Sequence, residues 1–566
     1  MNLNLKAQPQ NTYDAIVVGS GISGGWAAKE LSEKGLKTLV LERGRDVKHV
    51  TDYPTMHTPD WELPYRDRVP AEELKKYYKQ DRTGYTIKQS TKHWWVDDLE
   101  NPYTETKRFD WMRGYHVGGR SITWGRQSYR WSEMDFEANA KDGVAVPWPV
   151  TYKEMEPWYD YVESFAGISG QSEGISQLPD SKFLPPMELS CAEQHLKEKM
   201  AEHFNGRLLT IGRVANLTQP HNGRGQCMYR NRCIRGCPYG GYFSSNAATL
   251  PAAEASGNMT LRPHSIVNSL IFDKEKNKIT GVRVIDAQSN QMQEFYAQVI
   301  FLNASALGST FILLNSTSDR FPEGVGAGSG ELGHNLMDHH FRVGASGHLP
   351  GFTDKYDYGR RANGFYIPRF RNIKEERKDY LRGFGYQGRG SREDWMRGVR
   401  ELSFGPELKE LLMAPGPWQL GMTGFGECLP YHENKMTLNH EVKDKWGQST
   451  LTIDCEFKEN EMAMRIDMRD SAAEMLEAAG AENIRTYDSI GGPGLGIHEM
   501  GTARMGKDPK TSVLNAFNQV HEAKNVYVTD GACMTSSACQ NPSLTYMALT
   551  ARACDHAISE LKKGNL

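Results

Sequence analysis

The first 42 residues contain the feature that most constrains the fold: a strand, a glycine-rich turn, a helix and a second strand in close succession. Tyr13–Val18 is a short apolar run (YDAIVV), which is typical of a buried parallel strand. A G-x-G-x-x-G turn follows it, residues 25–34 have helical spacing of apolar side chains, and a second apolar run covers residues 36–41. This order predicts a βαβ unit of about 30 residues and an α/β, Rossmann-like fold.

Each glycine of the turn has its own physical role. Gly19 permits the tight turn, Gly21 lets the backbone approach a pyrophosphate, and Gly24 lets the helix pack closely on the strand. A pyrophosphate is then bound at the helix N-terminus, where free N–H groups and the helix dipole favour an anion. Glu42 ends the second strand, beside Arg43, where a carboxylate can accept hydrogen bonds from a ribose. The motif predicts a dinucleotide site but does not distinguish FAD from NAD.

Length and charge limit the class of protein. A chain of 566 residues is too long for one simple core, so at least two domains are expected. The net charge of −3 gives no reason to expect nucleic acid or an acidic membrane surface as a partner. No apolar run is long enough for a transmembrane segment, and the N-terminus has no signal-peptide or twin-arginine pattern. We expect a cytoplasmic protein, or one that is exported to the periplasm bound to a partner.

Later stretches alternate between strand and helix patterns. Residues 259–284 alternate apolar and polar side chains around a polar turn, which predicts a hairpin. Residues 298–314 predict a strand, a glycine-containing turn and a helix, and residues 524–562 predict a strand, a loop and a helix. Residues 340–480 mix both patterns and predict a separate, sheet-containing domain. Residues 50–110 are irregular and predict long excursions from the nucleotide fold.

Three of the nine cysteines lie close together in the sequence. Cys227, Cys233 and Cys237 form a C-x5-C-x3-C pattern followed by Pro238. Thiolates on a tight loop can bind iron–sulfur, and three ligands suit a [3Fe-4S] cluster, or a [4Fe-4S] cluster with another fourth ligand. Zinc, which usually takes four ligands, and free thiols or a disulfide are the alternatives. The scattered remainder are predicted core residues, namely Cys191, Cys428, Cys455, Cys533, Cys539 and Cys554.

Four separated stretches resemble motifs of the glucose–methanol–choline (GMC) oxidoreductase family. They are Gly114–Arg130 (GYHVGGRSITWGRQSYR), Glu331–His340 (ELGHNLMDHH), residues 498–515 and residues 525–545. Together with the N-terminal unit they span nearly the whole chain. The resemblance implies FAD as the cofactor. The flavin should be bound non-covalently, because Thr123 stands where related pyranose oxidases carry a flavin-linked histidine.

The resemblance also implies which residues contact the flavin. Gly118 and Gly119 would let the backbone approach the flavin face, and Val267 would lie on the strand whose backbone meets the adenine. The other positions implied for FAD binding are Ser121, Thr123, Trp124, Ala304, Asp530 and Gly531.

The same resemblance implies a division into two domains in a GMC/PHBH-like fold. The FAD-binding domain would comprise residues 11–335 and 488–566, with an inserted excursion at about 50–110 and the cysteine-rich loop at 227–237. The second, sheet-containing domain would bind substrate and comprise residues 336–487.

A histidine flanked by glycines in "HEMGTARMG" is the candidate catalytic residue. From the residues alone, His498 is a core histidine, a metal ligand or a base. The resemblance implies that it faces the flavin N5 region and takes the proton of a substrate hydroxyl while a hydride leaves the same carbon. Asn541 matches the second active-site position. His339 and His340 are expected to have a structural or substrate-cleft role.

Within the family, the chain most resembles bacterial sugar dehydrogenases, and especially glycoside 3-dehydrogenases, which make 3-keto sugars. The resemblance implies a sugar or glycoside substrate, a small escort subunit, and electron transfer through the cluster to cytochrome c or another acceptor. A sugar oxidase that uses oxygen is the alternative enzyme. A carrier of FAD and iron–sulfur without sugar chemistry is the alternative from another class, and a nicotinamide-dependent enzyme is possible from the glycine motif alone.

Overall fold

A computed structural model describes residues 11–357, 359, 362–373, 377, 379–393 and 404–566. Residues 1–10, on which most of the expectation about an export signal rests, lie outside the described residues. Within the described ranges, no helix is long and apolar enough to cross a membrane.

The described chain contains helices and strands in mixed order. The strands are β1 (Thr12–Val18), β2 (Thr38–Leu41), β3 (Thr104–Glu105), β4 (Thr210–Ile211), β5 (Met259–Arg262), β6 (Ser265–Asp273), β7 (Lys278–Asp286), β8 (Met292–Leu302), β9 (His340–Leu349), β10 (Phe365–Ile367), β11 (Phe384–Arg392), β12 (Trp418–Gly426), β13 (Lys435–Lys443), β14 (Ser449–Asp454), β15 (Glu482–Asp488), β16 (Gln519–Val520) and β17 (Ala523–Val528). The α-helices are α1 (Ile22–Glu33), α2 (Ala71–Leu74), α3 (Tyr78–Asp81), α4 (Glu133–Asp142), α5 (Tyr152–Ala166), α6 (Cys191–His203), α7 (Thr249–Ala255), α8 (Ala306–Leu314), α9 (Pro406–Met413), α10 (Glu459–Ala478) and α11 (Ser543–Lys562).

The first sheet contains the predicted βαβ unit. Its path runs β16-β17-β8-β1-β2-β5, and the pairs from β17 to β5 are parallel. The carboxyl-terminal halves of the central strands are apolar, and helix α1 packs on them; Ile16, Val17 and Val40 are fully buried. Helix α1 packs on α7 and α11. The predicted α/β class is confirmed.

The predicted hairpin is correct at its turn and wrong at its start. Strands β6 and β7 pair antiparallel around the turn between Asp273 and Lys278, as expected. Strand β5, however, pairs with β2 in the first sheet. Pro263, which lacks an N–H group, and His264, whose φ is +54°, turn the chain between β5 and β6.

The second sheet has six strands in the order β15-β9-β12-β11-β10-β4. Helix α10 covers it, burying Met464, Met468 and Met475 against the strands. Residues 191–211 contribute α6, which contacts α10, and β4, which pairs with β10. These two elements come from outside the predicted range 336–487, and the domain bounds stay a prediction. A small third sheet has the strand order β13-β14-β3.

Replacing Gly24 with alanine is expected to destabilise the protein. A Cβ atom on Gly24 would lie 1.9 Å from the carbonyl oxygen of Gly19, a rigid backbone atom. We expect a cost of about 1–3 kcal/mol from overpacking, which exceeds the gain in helix propensity of about 1 kcal/mol. The melting temperature of Gly24→Ala measures this cost. Gly421→Ala is the control, because its Cβ would meet Ser346 Cβ at an ordinary 3.6 Å. Equal melting temperatures for the two variants would contradict the predicted close packing.

Candidate active site

A cavity of about 450 Å³ opens at the carboxyl ends of β1, β2 and β8 and extends towards the second sheet. This edge of a parallel sheet is where open α/β folds bind dinucleotides. Most predicted site residues line the cavity, namely Gly19, Gly21, Glu42, Arg43, Gly119, Ser121, Thr123, Trp124, Val267, Ala304, His498, Asp530, Gly531 and Asn541. Gly24 and Gly118 are absent from its lining and act through close packing instead.

Two of the predicted glycines are required by backbone geometry. Gly19 has a φ of +95°, and a Cβ there would lie 2.4 Å from the carbonyl oxygen of Asn303. Gly118 has a φ of +85°, and a Cβ there would lie 1.6 Å from Asn246 Oδ1. Gly21 is the N-cap of α1 and would have nothing within 4 Å of an added Cβ, so its open side faces the cavity. The N-terminus of α1 is thereby available to an anion.

Glu42 is held in place by the turn itself. Its carboxylate accepts hydrogen bonds from Ser20 N (3.1 Å), Ser20 Oγ (2.6 Å) and Gly44 N (2.9 Å). Burial raises the pKa of Glu42, and these hydrogen bonds oppose that shift. Because a carboxylate has about four acceptor sites, one remains for a ribose hydroxyl. Arg43 forms an ion pair with Asp444 (3.1 Å) in the loop after β13.

Several buried polar atoms of the described residues around the cavity lack a hydrogen-bond partner, and a bound ligand would supply one. Within the described part of the chain, seven lining residues each have a buried side-chain polar atom without a hydrogen-bond partner: Ser23 Oγ, Arg43 Nε, Trp95 Nε1, Arg113 Nε, Arg126 Nε, Asn303 Oδ1 and Tyr546 OH. A buried polar group without a partner costs about 1–3 kcal/mol, so such groups are rarely left unsatisfied. A ligand with several polar groups, as a dinucleotide has, fits this lining. The sequence reasoning missed all of these atoms except those of Arg43.

The segment before β9 holds His498 on the wall of the cavity. Met337 and Met500 form an antiparallel bridge, and the same register places His339 opposite His498. Asp338 fixes the loop, since its carboxylate accepts hydrogen bonds from the backbone N–H groups of residues 494, 496 and 498 at 2.7, 2.8 and 3.1 Å. The backbone of His498 is therefore fixed by Asp338, independently of any contact that the His498 side chain makes.

The predicted catalytic pair is brought together. Asn541 Nδ2 lies 3.3 Å from His498 Nε2, and Asn541 Oδ1 accepts a hydrogen bond from Gln387 Nε2 at 2.6 Å. Both side chains are partly accessible from the cavity. Gln387 lies on β11 of the second sheet, and no motif in the sequence marked it.

The electrostatic surroundings keep His498 neutral. Burial within the site, with smaller contributions from His339 and the positive charge of Arg120, lowers the pKa of His498 well below its ordinary value. Arg120 forms a bidentate ion pair with Glu499 at 3.0 and 2.8 Å. Burial, together with Glu499, raises the pKa of Asp338 to about 7. Arg120 and Glu499 lie inside the quoted sequence motifs, and their opposite charges were a signal that could have identified them.

The three clustered cysteines lie away from this cavity. Cys227, Cys233 and Cys237 line a separate space of about 20 Å³, which has room for about one water molecule. In the described residues, no group of three His, Cys, Asp or Glu side chains is arranged to hold a metal ion. The expected iron–sulfur cluster is therefore not supported by this structure. The space that these residues line, about 20 Å³, is small for a cluster of several iron and sulfur atoms.

The remaining cysteines follow the prediction with one exception. Cys428, Cys455, Cys533, Cys539 and Cys554 are buried, as expected for core residues. Cys191, at the start of α6, is partly exposed.

Fold and site together define a dinucleotide-dependent enzyme, and comparison with known proteins gives its family. GMC oxidoreductase models match residues 13–341 and 430–550, so the chain belongs to the GMC oxidoreductase family. Members of this family bind FAD, which settles the choice that the glycine motif left open. The resemblance stated from the motifs is confirmed at the level of the family.

Relatives of this family match over nearly their whole length. The chain is 26% identical to 2-methyl-1,2-propanediol dehydrogenase of Mycolicibacterium austroafricanum, covering 96% of this chain and 94% of the relative. It is 24% identical to the fructose dehydrogenase large subunit of Gluconobacter japonicus, covering 97% and 98%. It is 25% identical to paromamine 6'-oxidase of Streptomyces fradiae, covering 97% and 92%.

A solved structure shows the same fold. Pyridoxine 4-oxidase from Mesorbium loti superposes with a TM-score of 0.55 over 96% of this chain and 99% of that chain, at 16% sequence identity. At this identity the similarity shows the fold alone.

Thiol labelling tests the environment of the cysteines. Cys191, Cys227, Cys233 and Cys237 are partly exposed, and burial raises the pKa of Cys191, Cys227 and Cys237. Burial raises the pKa of the five buried thiols well above its ordinary value. Because the thiolate is the reactive form, we expect an alkylating reagent to modify the four exposed thiols of the native protein and all nine after unfolding.

Mass spectrometry of the alkylated peptides identifies the modified cysteines. Modification of the five buried cysteines in the native protein would contradict the structure. If Cys227, Cys233 and Cys237 are protected from alkylation in anaerobically purified protein, and removal of iron ends that protection, the result would instead support an iron–sulfur cluster at these cysteines.

Proposed function

We propose that this chain is an FAD-dependent dehydrogenase that oxidises a secondary hydroxyl of a sugar or glycoside. Membership of the family supports oxidation of a CH–OH group with FAD. The observation that carries the proposal is the contact of His498 Nε2 with Asn541 Nδ2, at 3.3 Å, on the wall of the cavity that also holds the dinucleotide turn. The base, the polarising amide and the cofactor-binding turn thus share one cavity.

The chain offers contacts along a whole FAD molecule. The turn at Gly19 and Gly21 and the N-terminus of α1 would bind the pyrophosphate, and Glu42 with Arg43 would bind the adenosine ribose. The remaining proposed contacts to the adenine, ribityl chain and flavin ring are those of Gly119, Ser121, Thr123, Trp124, Val267, Ala304, Asp530 and Gly531. Bound there, the flavin supplies a two-electron acceptor for hydride. Thr123 carries no ring nitrogen for a histidyl linkage, which supports non-covalent binding.

His498 and Asn541 would act directly on the substrate. As the C–H bond of the carbinol carbon breaks and its hydride leaves, the hydroxyl proton moves to His498 Nε2 and a carbonyl forms. Asn541 can donate a hydrogen bond from Nδ2 to the substrate oxygen without competing for its proton. Gln387 holds the Asn541 amide through Oδ1, which leaves Nδ2 turned towards His498.

The lining of the cavity suits a polyol ring. It combines polar side chains, Arg126 and Gln387, with the aromatic faces of Phe341 and Phe425, which stack at 5.1 Å. Sugars present hydroxyl groups at their edges and C–H groups on their faces, so this mixture matches both. The names of two relatives, a fructose dehydrogenase and a paromamine oxidase, also support a substrate of this kind. Oxidation at C3, to a 3-keto sugar, is the position we propose, and NMR analysis of the product tests it.

The fate of the electrons is a separate part of the proposal. The fructose dehydrogenase relative is a large subunit, which favours an assembly with an escort subunit and an external acceptor such as cytochrome c for this chain as well. Oxidases among the relatives keep direct transfer to oxygen as the second candidate. A cluster at Cys227, Cys233 and Cys237 would require their loop to open beyond the space seen here, and iron analysis of anaerobically purified protein tests it. A carrier without sugar chemistry would have no use for the His498–Asn541 pair.

Replacing His498 with alanine tests the proposed base. We expect His498→Ala to retain bound flavin and to reduce it with methyl glucoside about 10²- to 10⁴-fold more slowly, the usual contribution of a general base. Anaerobic stopped-flow absorbance of the flavin measures the rate. His203→Ala, on the exposed end of α6, is the matched control and should behave like the wild type. Near-wild-type reduction by His498→Ala would overturn the proposal.

The pH dependence follows from the neutral state of His498. A base must be unprotonated, and the pKa of His498 lies well below 6.5. The imidazole therefore loses its function only as the pH falls through that lowered pKa. We expect the rate of flavin reduction to be independent of His498 ionisation above about pH 6.5 and to fall in more acidic buffer. Stopped-flow rates of flavin reduction, measured over a range of pH values, give this acid limb of the pH profile. An acid limb centred above neutral pH would contradict the assigned environment.

A further inference from the structure

We propose that His339 is a positioning residue that fixes His498 in the tautomer with its proton on Nδ1, so that Nε2 is free to accept the substrate proton. His339 has this role only if His498 is the base, as proposed above. The sequence predicted only a structural or substrate-cleft role for His339.

The contact between the two histidines is close and directional. His339 Nδ1 lies 2.7 Å from His498 Nδ1, and the two rings are nearly perpendicular at 86°. At this distance one of the two nitrogens must carry a proton and the other must not. The antiparallel register of the segments around Met337 and Met500 holds the two residues opposite each other.

The second ring nitrogen of His339, Nε2, shows which nitrogen of this ring carries the proton. His339 Nε2 lies 2.7 Å from the carbonyl oxygen of Ala538. A carbonyl oxygen only accepts, so His339 Nε2 must carry a proton. His339 is 1% exposed, and burial lowers its pKa to about 4, so the ring is neutral and its Nδ1 is bare.

The protonation of His339 then determines the tautomer of His498, whose side chain lines the cavity. Because His339 Nδ1 can only accept, His498 Nδ1 must donate, and the neutral His498 ring has no proton left for Nε2. Its Nε2 lone pair is therefore directed at the side where Asn541 Nδ2 lies. The donation from the Asn541 amide agrees with this tautomer, since Nε2 must accept it.

The neighbouring His340 provides a contrast within the same segment. In the described part of the chain, both of its ring nitrogens lack a hydrogen-bond partner, and its ring packs edge-on against Phe457 at 5.8 Å. It does not line the cavity. His340→Phe should keep this aromatic packing, which makes it a control for changes in the segment that leave the His339–His498 contact intact.

Three variants separate positioning from packing. His339→Leu removes the acceptor, and His339→Asn keeps one, because the amide oxygen stands near the position of Nδ1. We expect His339→Leu to lower the limiting rate of flavin reduction by methyl glucoside about 10- to 100-fold, the usual effect of losing a partner that orients a functional histidine. The substrate concentration at half-maximal rate should change little. His339→Asn should recover most of the rate, and His340→Phe should retain the wild-type rate.

A double variant tests whether His339 acts through His498. If it does, adding His339→Leu to His498→Ala should cost no further rate, whereas independent roles would multiply. Equal losses in His339→Leu and His339→Asn, or multiplied losses in the double variant, would overturn the positioning role. Failure of the proposed function is distinguishable, because it would appear in His498→Ala alone as an unchanged rate.

Discussion

The candidate active site depends on the hydrogen bonds that the buried carboxylate of Asp338 accepts. Asp338 stands just before the second sheet begins and accepts three backbone hydrogen bonds from residues 494–498, which lead back towards the dinucleotide-binding part. The two segments are far apart in sequence, and neither has a regular helix or strand at this point. Together with the backbone bridge between Met337 and Met500, this side chain holds the segment that carries His339 and the segment that carries His498 in a fixed register.

Charge placement around this contact makes a neutral base possible. Arg120 and Glu499 form an ion pair, and the positive charge of Arg120 helps to disfavour a proton on His498. The burial of both histidines disfavours an imidazolium, and their shared hydrogen bond needs only one proton. The same arrangement explains why a histidine suits this position, since its second nitrogen can be held while the first faces the substrate. A carboxylate there would have to be buried beside Glu499 and Asp338, at a large electrostatic cost.

The parts that could be predicted from the sequence are those encoded in short continuous stretches. The βαβ unit, its glycines and Glu42 follow from local periodicity and backbone geometry, and the structure places them as expected. His498 and Asn541 were found because a family motif marks each of them. Gln387 and the role of His339 were not found, since their partners come from distant segments and a single Gln or His carries no periodic signal. The two-residue strand β4 was not predicted from the sequence for the same reason, because only its pairing with β10 makes it a strand.

An anaerobic absorption spectrum of the wild-type protein, before and after methyl glucoside is added, tests the central claim most directly. The claim is that FAD and the His498–Asn541 pair form one site for oxidising a sugar hydroxyl. It predicts flavin bands in the purified protein that bleach on addition of the glycoside, with a keto sugar as the product. Flavin that stays oxidised with this glycoside and with other sugars would contradict the claim, and bleaching by simple alcohols alone would move the substrate class away from sugars.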